Sequence, residues 1–167
     1  MMSKQDSRKA RQKPSDACVD ALRMLGRREL SEAQVRQRLE RRGYDSRAID
    51  AAVGRLTEER AIDDRRVAET IARRSAGVKR RGPLRVKREL ESAGIADTTA
   101  RMALDEAFAE LDEEALLEAA LDRRLRGRRD IADDTEFARL YRYLLGQGFD
   151  VNRIIGALTR RRSGSGS

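Results

Sequence analysis

The densest chemistry in the sequence is cationic: Arg73, Arg74, Lys79, Arg80, Arg81, Arg85, Lys87 and Arg88 all lie between Arg73 and Leu90, with Glu89 as the single acid there. Guanidinium and ammonium groups at this density suit contact with phosphates or with carboxylates of an acidic partner. Two glycines five apart, Gly77 and Gly82, raise a sharper possibility, a loop that cradles a nucleotide. That motif needs Lys and Ser or Thr directly after the second glycine. Pro83 and Leu84 stand there instead, so the cluster is a contact surface and not a nucleotide cradle. No Tyr, Phe or Trp is interleaved, which removes a base-stacking platform for single strands. A solvated charged face is the plain alternative for any such run. The absence of acids from Arg73 to Arg88 and the Gly-Pro break in the middle favour a binding surface.

Other reactive side chains are scarce. The chain has no histidine, so it lacks the usual general base and the commonest transition-metal ligand. The single Cys18 has no internal disulfide partner, and its neighbours Ala17, Ala21 and Leu22 place it on a packed helix face. The pairs Asp63-Asp64, Glu113-Glu114 and Asp133-Asp134 could suggest a magnesium site, but adjacent helical residues do not face one another. Acids at helix starts act as caps and complement the dipole. The run Asp105–Glu118 holds seven acids and no cation. It is expected to pair within the chain, with cations such as those of Arg73–Arg88, ahead of mimicking nucleic acid. No catalytic residue, cofactor or metal is expected.

Charged residues make up 40% of the 167, aromatic residues 4% and apolar residues 39%, enough for narrow helical stripes but not for a deep enzyme core. The net charge of +8 is uneven. Residues 1–13 carry five Lys or Arg against Asp6, and Arg160, Arg161 and Arg162 add three more charges near the C-terminus, leaving the body near neutral. No stretch has the roughly 18 apolar residues of a membrane span, and the N-terminus lacks the apolar core of a signal peptide. A cytoplasmic protein without membrane contact is expected, with a basic flexible tail over 1–13 and a flexible Ser/Gly tail over 163–167.

The elements that position the cluster come from a unit that occurs three times. "LERRGYDSRAIDAAV", "LESAGIADTTARMAL" and "LLGQGFDVNRIIGAL" start at Leu39, Leu90 and Leu144, and each has a glycine four later: Gly43, Gly94, Gly148. Apolar residues follow it directly (Tyr44, Ile95, Phe149), six later (Ile49, Ala100, Ile154) and ten later (Val53, Leu104, Leu158). Eight before it stand Val35, Val86 and Leu140. This spacing predicts one helix closed by a left-handed glycine cap and a second opened at Asp45 or Ser46, Asp97 and Asp150. Further amphipathic segments open at Ser15, Asp63 and Asp112. Ser31 with Gln34 forms a capping-box pattern, and Pro83 suits a first helical turn with Gly82 just outside it. The fold class is therefore all-α: three tandem three-helix repeats, 14–60, 61–111 and 112–162, stacked in an elongated, curved array. Tyr44 and Phe149 are packing residues. Tyr141 and Tyr143 cannot share one helix face, so one of them is expected to be exposed.

In order and spacing, "ALRMLGRRELSEAQVRQRLERRGY", "IDDRRVAETIARR" and "RRGPLRVKRELESAGI" resemble the RecX family, over about Ala17 to Leu158. The resemblance implies a non-enzymatic regulator. Family members bind the RecA recombinase and lodge in the groove of its DNA filament, restraining ATP hydrolysis, strand exchange and co-protease function, and so modulating repair and the SOS response. Asp64, Arg73, Gly82, Leu90 and Gly94 look like the family's pattern positions, whereas Val67 replaces an aromatic often found there. On this reading the partners are RecA and the RecA–DNA filament, with direct phosphate contact to DNA left open, and the chain is a monomer. The competing reading is an independent helix-turn-helix DNA-binding protein or transcription factor. A recognition helix for that role should begin with base-reading side chains, and only Asn152 and Arg153 fit.

Overall fold

The computed structural model describes residues 14–163, and the tails foreseen for 1–13 and beyond Ser163 lie outside the described residues. Among the described residues there are nine α-helices and no strand: α1 (Pro14–Leu25), α2 (Glu32–Arg41), α3 (Ser46–Glu58), α4 (Asp64–Arg73), α5 (Pro83–Ser92), α6 (Asp97–Phe108), α7 (Glu113–Leu125), α8 (Asp134–Gln147) and α9 (Val151–Ser163). A π-helical turn, Arg74–Val78, continues α4. None of these helices is long and apolar enough to cross a membrane.

The helix ends are those the sequence specifies. Ser31 forms the full capping box with Gln34, and Asp45, Asp112 and Asp133 each accept backbone N–H bonds at the starts of α3, α7 and α8. Asp63 and Asp150 do the same for α4 and α9. Gly43, Gly94 and Gly148 all have φ between 72° and 87°, the left-handed geometry foreseen for the repeated cap. Two expected starts shift: α1 opens at Pro14, one residue before Ser15, and Asp97 is the first residue of α6 and not its cap.

The chain forms two compact units, one running to Ala68 with Ser92–Thr99, the other Glu69–Glu91 with Ala100 onward. In the first, α1, α2 and α3 close over Ala17, Ala21, Leu30, Val35, Leu39, Ile49, Val53 and Leu56, with Cys18 buried among them. In the second, α7, α8 and α9 enclose Leu117, Leu121, Leu125, Leu140, Leu144, Phe149, Ile154 and Leu158. Tyr44 and Phe149 are buried as foreseen. The expectation for the other tyrosines does not hold: Tyr141 and Tyr143 are both half-buried against the second core, because the Arg124 guanidinium lies 5.1 Å from the Tyr143 ring and covers it.

Within each unit a capped glycine turn seats on the start of an earlier helix. In the first, Ser31 Oγ donates to the carbonyl of Ala93, and a Cβ on Gly94 would collide with the Ala33 side chain. In the second, the Gly82 N–H donates to Gln147 O (2.9 Å) and the Leu84 N–H to Gly148 O (3.2 Å). There a Cβ on Gly82 would fall within 3.0 Å of the Gly148 backbone, and one on Gly148 within 3.0 Å of Arg85 N. Gly43, in the first repeat, has open space around it.

Candidate nucleic-acid and partner interface

The basic cluster is built from the end of α4, the π turn, the connection Lys79–Gly82 and α5. The π turn widens the helix by one residue, closing with Lys79 N–H to Arg74 O (3.1 Å) and followed by Arg81 N–H to Ser75 O (3.0 Å). It buries Ser75 and Ala76 on one side and leaves Gly77 and Val78 exposed on the other. The next α5 turn then presents Glu89 to this connection. Glu89 accepts a hydrogen bond from the Ser75 hydroxyl and pairs with Arg81, with Arg85 (3.5 Å) and with Lys79 (3.9 Å).

The ion pairs sort the eight cations into three groups. Lys79, Arg81 and Arg85 are held inward by one carboxylate, too few negative charges for three positive ones. Partial burial, then the neighbouring Arg81, Arg74 and Arg85, push the Lys79 ammonium below its ordinary pKa. Burial and Arg85 lower Arg81 in the same way. Arg73 pairs with Glu69 (3.8 Å) and Lys87 with Glu91 (3.7 Å). Arg74, Arg80 and Arg88 have no carboxylate within ion-pair distance among the described residues, and all three are exposed. Arg88 Nε reaches only the carbonyl of Leu84 (3.2 Å). Val78 and Leu84, 75% and 52% exposed, stand beside these free guanidinium groups in sequence and give the surface an apolar component. The arrangement can bind an extended anion by charge and a partner protein by charge and apolar contact. No metal-ligand cluster is found among the described residues.

The cluster was legible as a charge run; its internal wiring was not. Ser75 gave no signal, and the role of Glu89 depends on the π turn, which no periodicity announces. The acidic run is a clearer departure. Its C-terminal half does pair within the chain, but with α9 and not with Arg73–Arg88. Glu114 and Glu118 pair with Arg160, Glu118 with Arg161 (2.7 Å), and Glu113 with Arg153 (3.7 Å). Arg160 and Arg161, set aside as a tail theme, are thus counter-ions of α7, and Arg162 pairs with Asp134 of α8 (2.7 Å), because α9 extends through them.

The positions taken from the family pattern are mostly structural. Asp64 accepts the Glu32 N–H (2.7 Å) and so caps α2 from α4, with burial raising its pKa. Gly82 and Gly94 permit the seated turns, and Leu90 is fully buried. Val67 is buried in place of the expected aromatic. Only Arg73 stands on the surface.

Helices grouped in threes, a glycine turn of one group seated on the group before it, and a basic connection left partly uncompensated define a helical-repeat protein with an exposed basic surface. The sequence matches the RecX first three-helix domain over residues 17–56 and the RecX second three-helix domain over 63–104. It is 34% identical to "Regulatory protein RecX" of Syntrophotalea carbinolica over 136 residues, 81% of this chain and 89% of the relative, and 35% identical to that of Halorhodospira halophila over 144 residues, 86% and 87%. The chain belongs to the RecX family of regulatory proteins. The crystal structure of RecX from Lactobacillus salivarius shares the fold, with a TM-score of 0.67 at 20% identity over 88% of this chain and 95% of that one. A second RecX crystal structure gives 0.69 at 16% identity, over 96% and 79%.

Proposed function

We propose that this chain is a non-enzymatic regulator that binds the RecA recombinase and its DNA filament and inhibits recombinase, ATPase and co-protease activities, modulating DNA repair and the SOS response in the cytoplasm. Family membership supplies the partner. The observation that carries the contact is the trio Arg74, Arg80 and Arg88, exposed beside Val78 and Leu84 and without counter-ions among the described residues. Lys79, Arg81, Arg85, Arg73 and Lys87 belong to the same surface but spend part of their charge on Glu89, Glu69 and Glu91. Repeats 14–60, 61–111 and 112–162 would act together, as tandem units of a helical-repeat protein do. The test is DNA-dependent ATP hydrolysis by RecA while this protein is titrated in below one copy per recombinase. A steep fall is expected; an unchanged rate with DNA binding intact would favour the independent DNA-binding module.

A further inference from the structure

A second concentration of cations lies in the first unit, among residues that the sequence did not single out. Arg27 and Arg28 from the α1–α2 connection, Arg38 and Arg41 from the last turn of α2, and Arg42 just after it line a groove of about 390 Å³, with Met24 as its apolar wall. Of the five, Arg42 pairs with Asp20 (2.9 Å). Arg27, Arg28, Arg38 and Arg41 have no carboxylate within ion-pair distance among the described residues.

The repeat alignment explains why this groove is uncompensated. Leu39 and Leu90 occupy the same place, four residues before Gly43 and Gly94, so Arg38 stands where the second repeat has Glu89. In the second repeat that carboxylate draws Lys79, Arg81 and Arg85 inward. In the first, the same place carries a positive charge, and the connection beside it is basic in both. The helix dipole favours Arg38 and Arg41 at the end of α2. It does nothing for Arg27 and Arg28, which lie outside any helix.

We propose that the groove lined by Arg27, Arg28, Arg38, Arg41 and Arg42 is a binding site for the phosphates of a nucleic-acid backbone. Several guanidinium groups from separate elements, facing one open groove, match successive phosphates along a strand better than one carboxylate. No aromatic side chain lines the groove, so contact is with the backbone and carries no base preference. The site uses none of the second-repeat cations and needs no RecA.

The test uses the full chain without RecA and a short labelled DNA duplex of mixed sequence, with binding read by fluorescence anisotropy across a salt series. Arg38→Glu installs in the first repeat the counter-ion that the second already has. It is expected to weaken binding by about tenfold or more at moderate salt, as the loss of several phosphate contacts requires. Arg27→Ala/Arg28→Ala removes two exposed cations and should flatten the log–log salt slope by about 1.8. That double variant decides the matter should Arg38→Glu disturb the fold. Wild-type affinity and slope in it would overturn the proposal. So would variants that keep DNA binding but lose binding to polyglutamate, since the groove would then serve an acidic protein. Because RecA is absent, a failed ATPase test of the regulator reading leaves this result standing, and the reverse also holds.

Discussion

The three repeated glycines look equivalent in sequence, yet their surroundings give them different weights. Gly43, Gly94 and Gly148 all need a left-handed backbone, so alanine at any of them costs about 1 kcal/mol of backbone strain. At Gly43 nothing else is added, because the space is open. At Gly148 the new methyl would press on the Arg85 backbone, adding about 1–3 kcal/mol of overpacking. Urea unfolding should therefore show Gly148→Ala clearly less stable than Gly43→Ala; equal losses would mean that the turn is not seated on α5. Glu136 gives a pH-dependent prediction. It is buried, accepts hydrogen bonds from Arg128 and from the Ala132 N–H (3.0 Å), and its carboxyl is held down to about 2 from an ordinary 4.5, first by Arg128 and then by that backbone bond. A lowered carboxylate stabilises the fold above its unfolded pKa and loses that contribution as pH falls through the folded value. Glu136→Gln should therefore be less stable than wild type near neutrality, with the gap closing between about pH 4.5 and 2. A gap that stays constant through that range would show that the ion pair contributes nothing.

At the scale of elements, the sequence revealed what obeys a local rule. Capping residues, a glycine with its apolar follower, and three- and four-residue apolar spacing each act within one or two helical turns, so α2, α3, α5, α8 and α9 could be placed by inspection. What remained hidden depends on residues far apart in the chain or on a departure from helical period. The π turn at Arg74–Val78 inserts a residue where the apolar pattern simply fades. The pairing of α7 with α9 joins Glu114 to Arg160 across an intervening helix and two connections. Ser31 shows both kinds of information in one side chain. Its capping box could be read from Gln34, but its bond to the carbonyl of Ala93 could not. Ser31→Ala removes the cap and leaves a buried carbonyl short of a partner, an expected loss of about 2 kcal/mol in place of the ~1 kcal/mol of a simple cap. Ser31→Thr, which keeps the hydroxyl, should recover most of it in thermal unfolding. If alanine costs no more than an ordinary cap, the bond between α2 and the α5–α6 turn is not significant.

For the molecule as a whole, charge matters by where it is left over, not by its sum. The acids of α7 are answered by Arg153, Arg160 and Arg161, and Glu89 gathers three cations, so within the second-repeat cluster the charge left to reach a partner lies on Arg74, Arg80 and Arg88. This changes which substitutions can test function. Removing Arg81 or Arg85 would strip a half-buried carboxylate of its counter-ions, and lost binding would then be confused with lost fold. Arg74→Ala/Arg80→Ala/Arg88→Ala touches no ion pair among the described residues, and alanine bears the positive φ of 53° at position 80 no worse than arginine does. Its thermal stability should stay within about 0.5 kcal/mol of wild type, as for surface changes away from networks. If the second-repeat cluster contacts RecA or its DNA, the concentration giving half-inhibition of RecA ATPase should rise about tenfold or more and its salt dependence should weaken, since three exposed charges leave the interface together. An unchanged inhibition curve from a folded triple variant would leave the regulator reading intact and place its contact surface elsewhere on the chain.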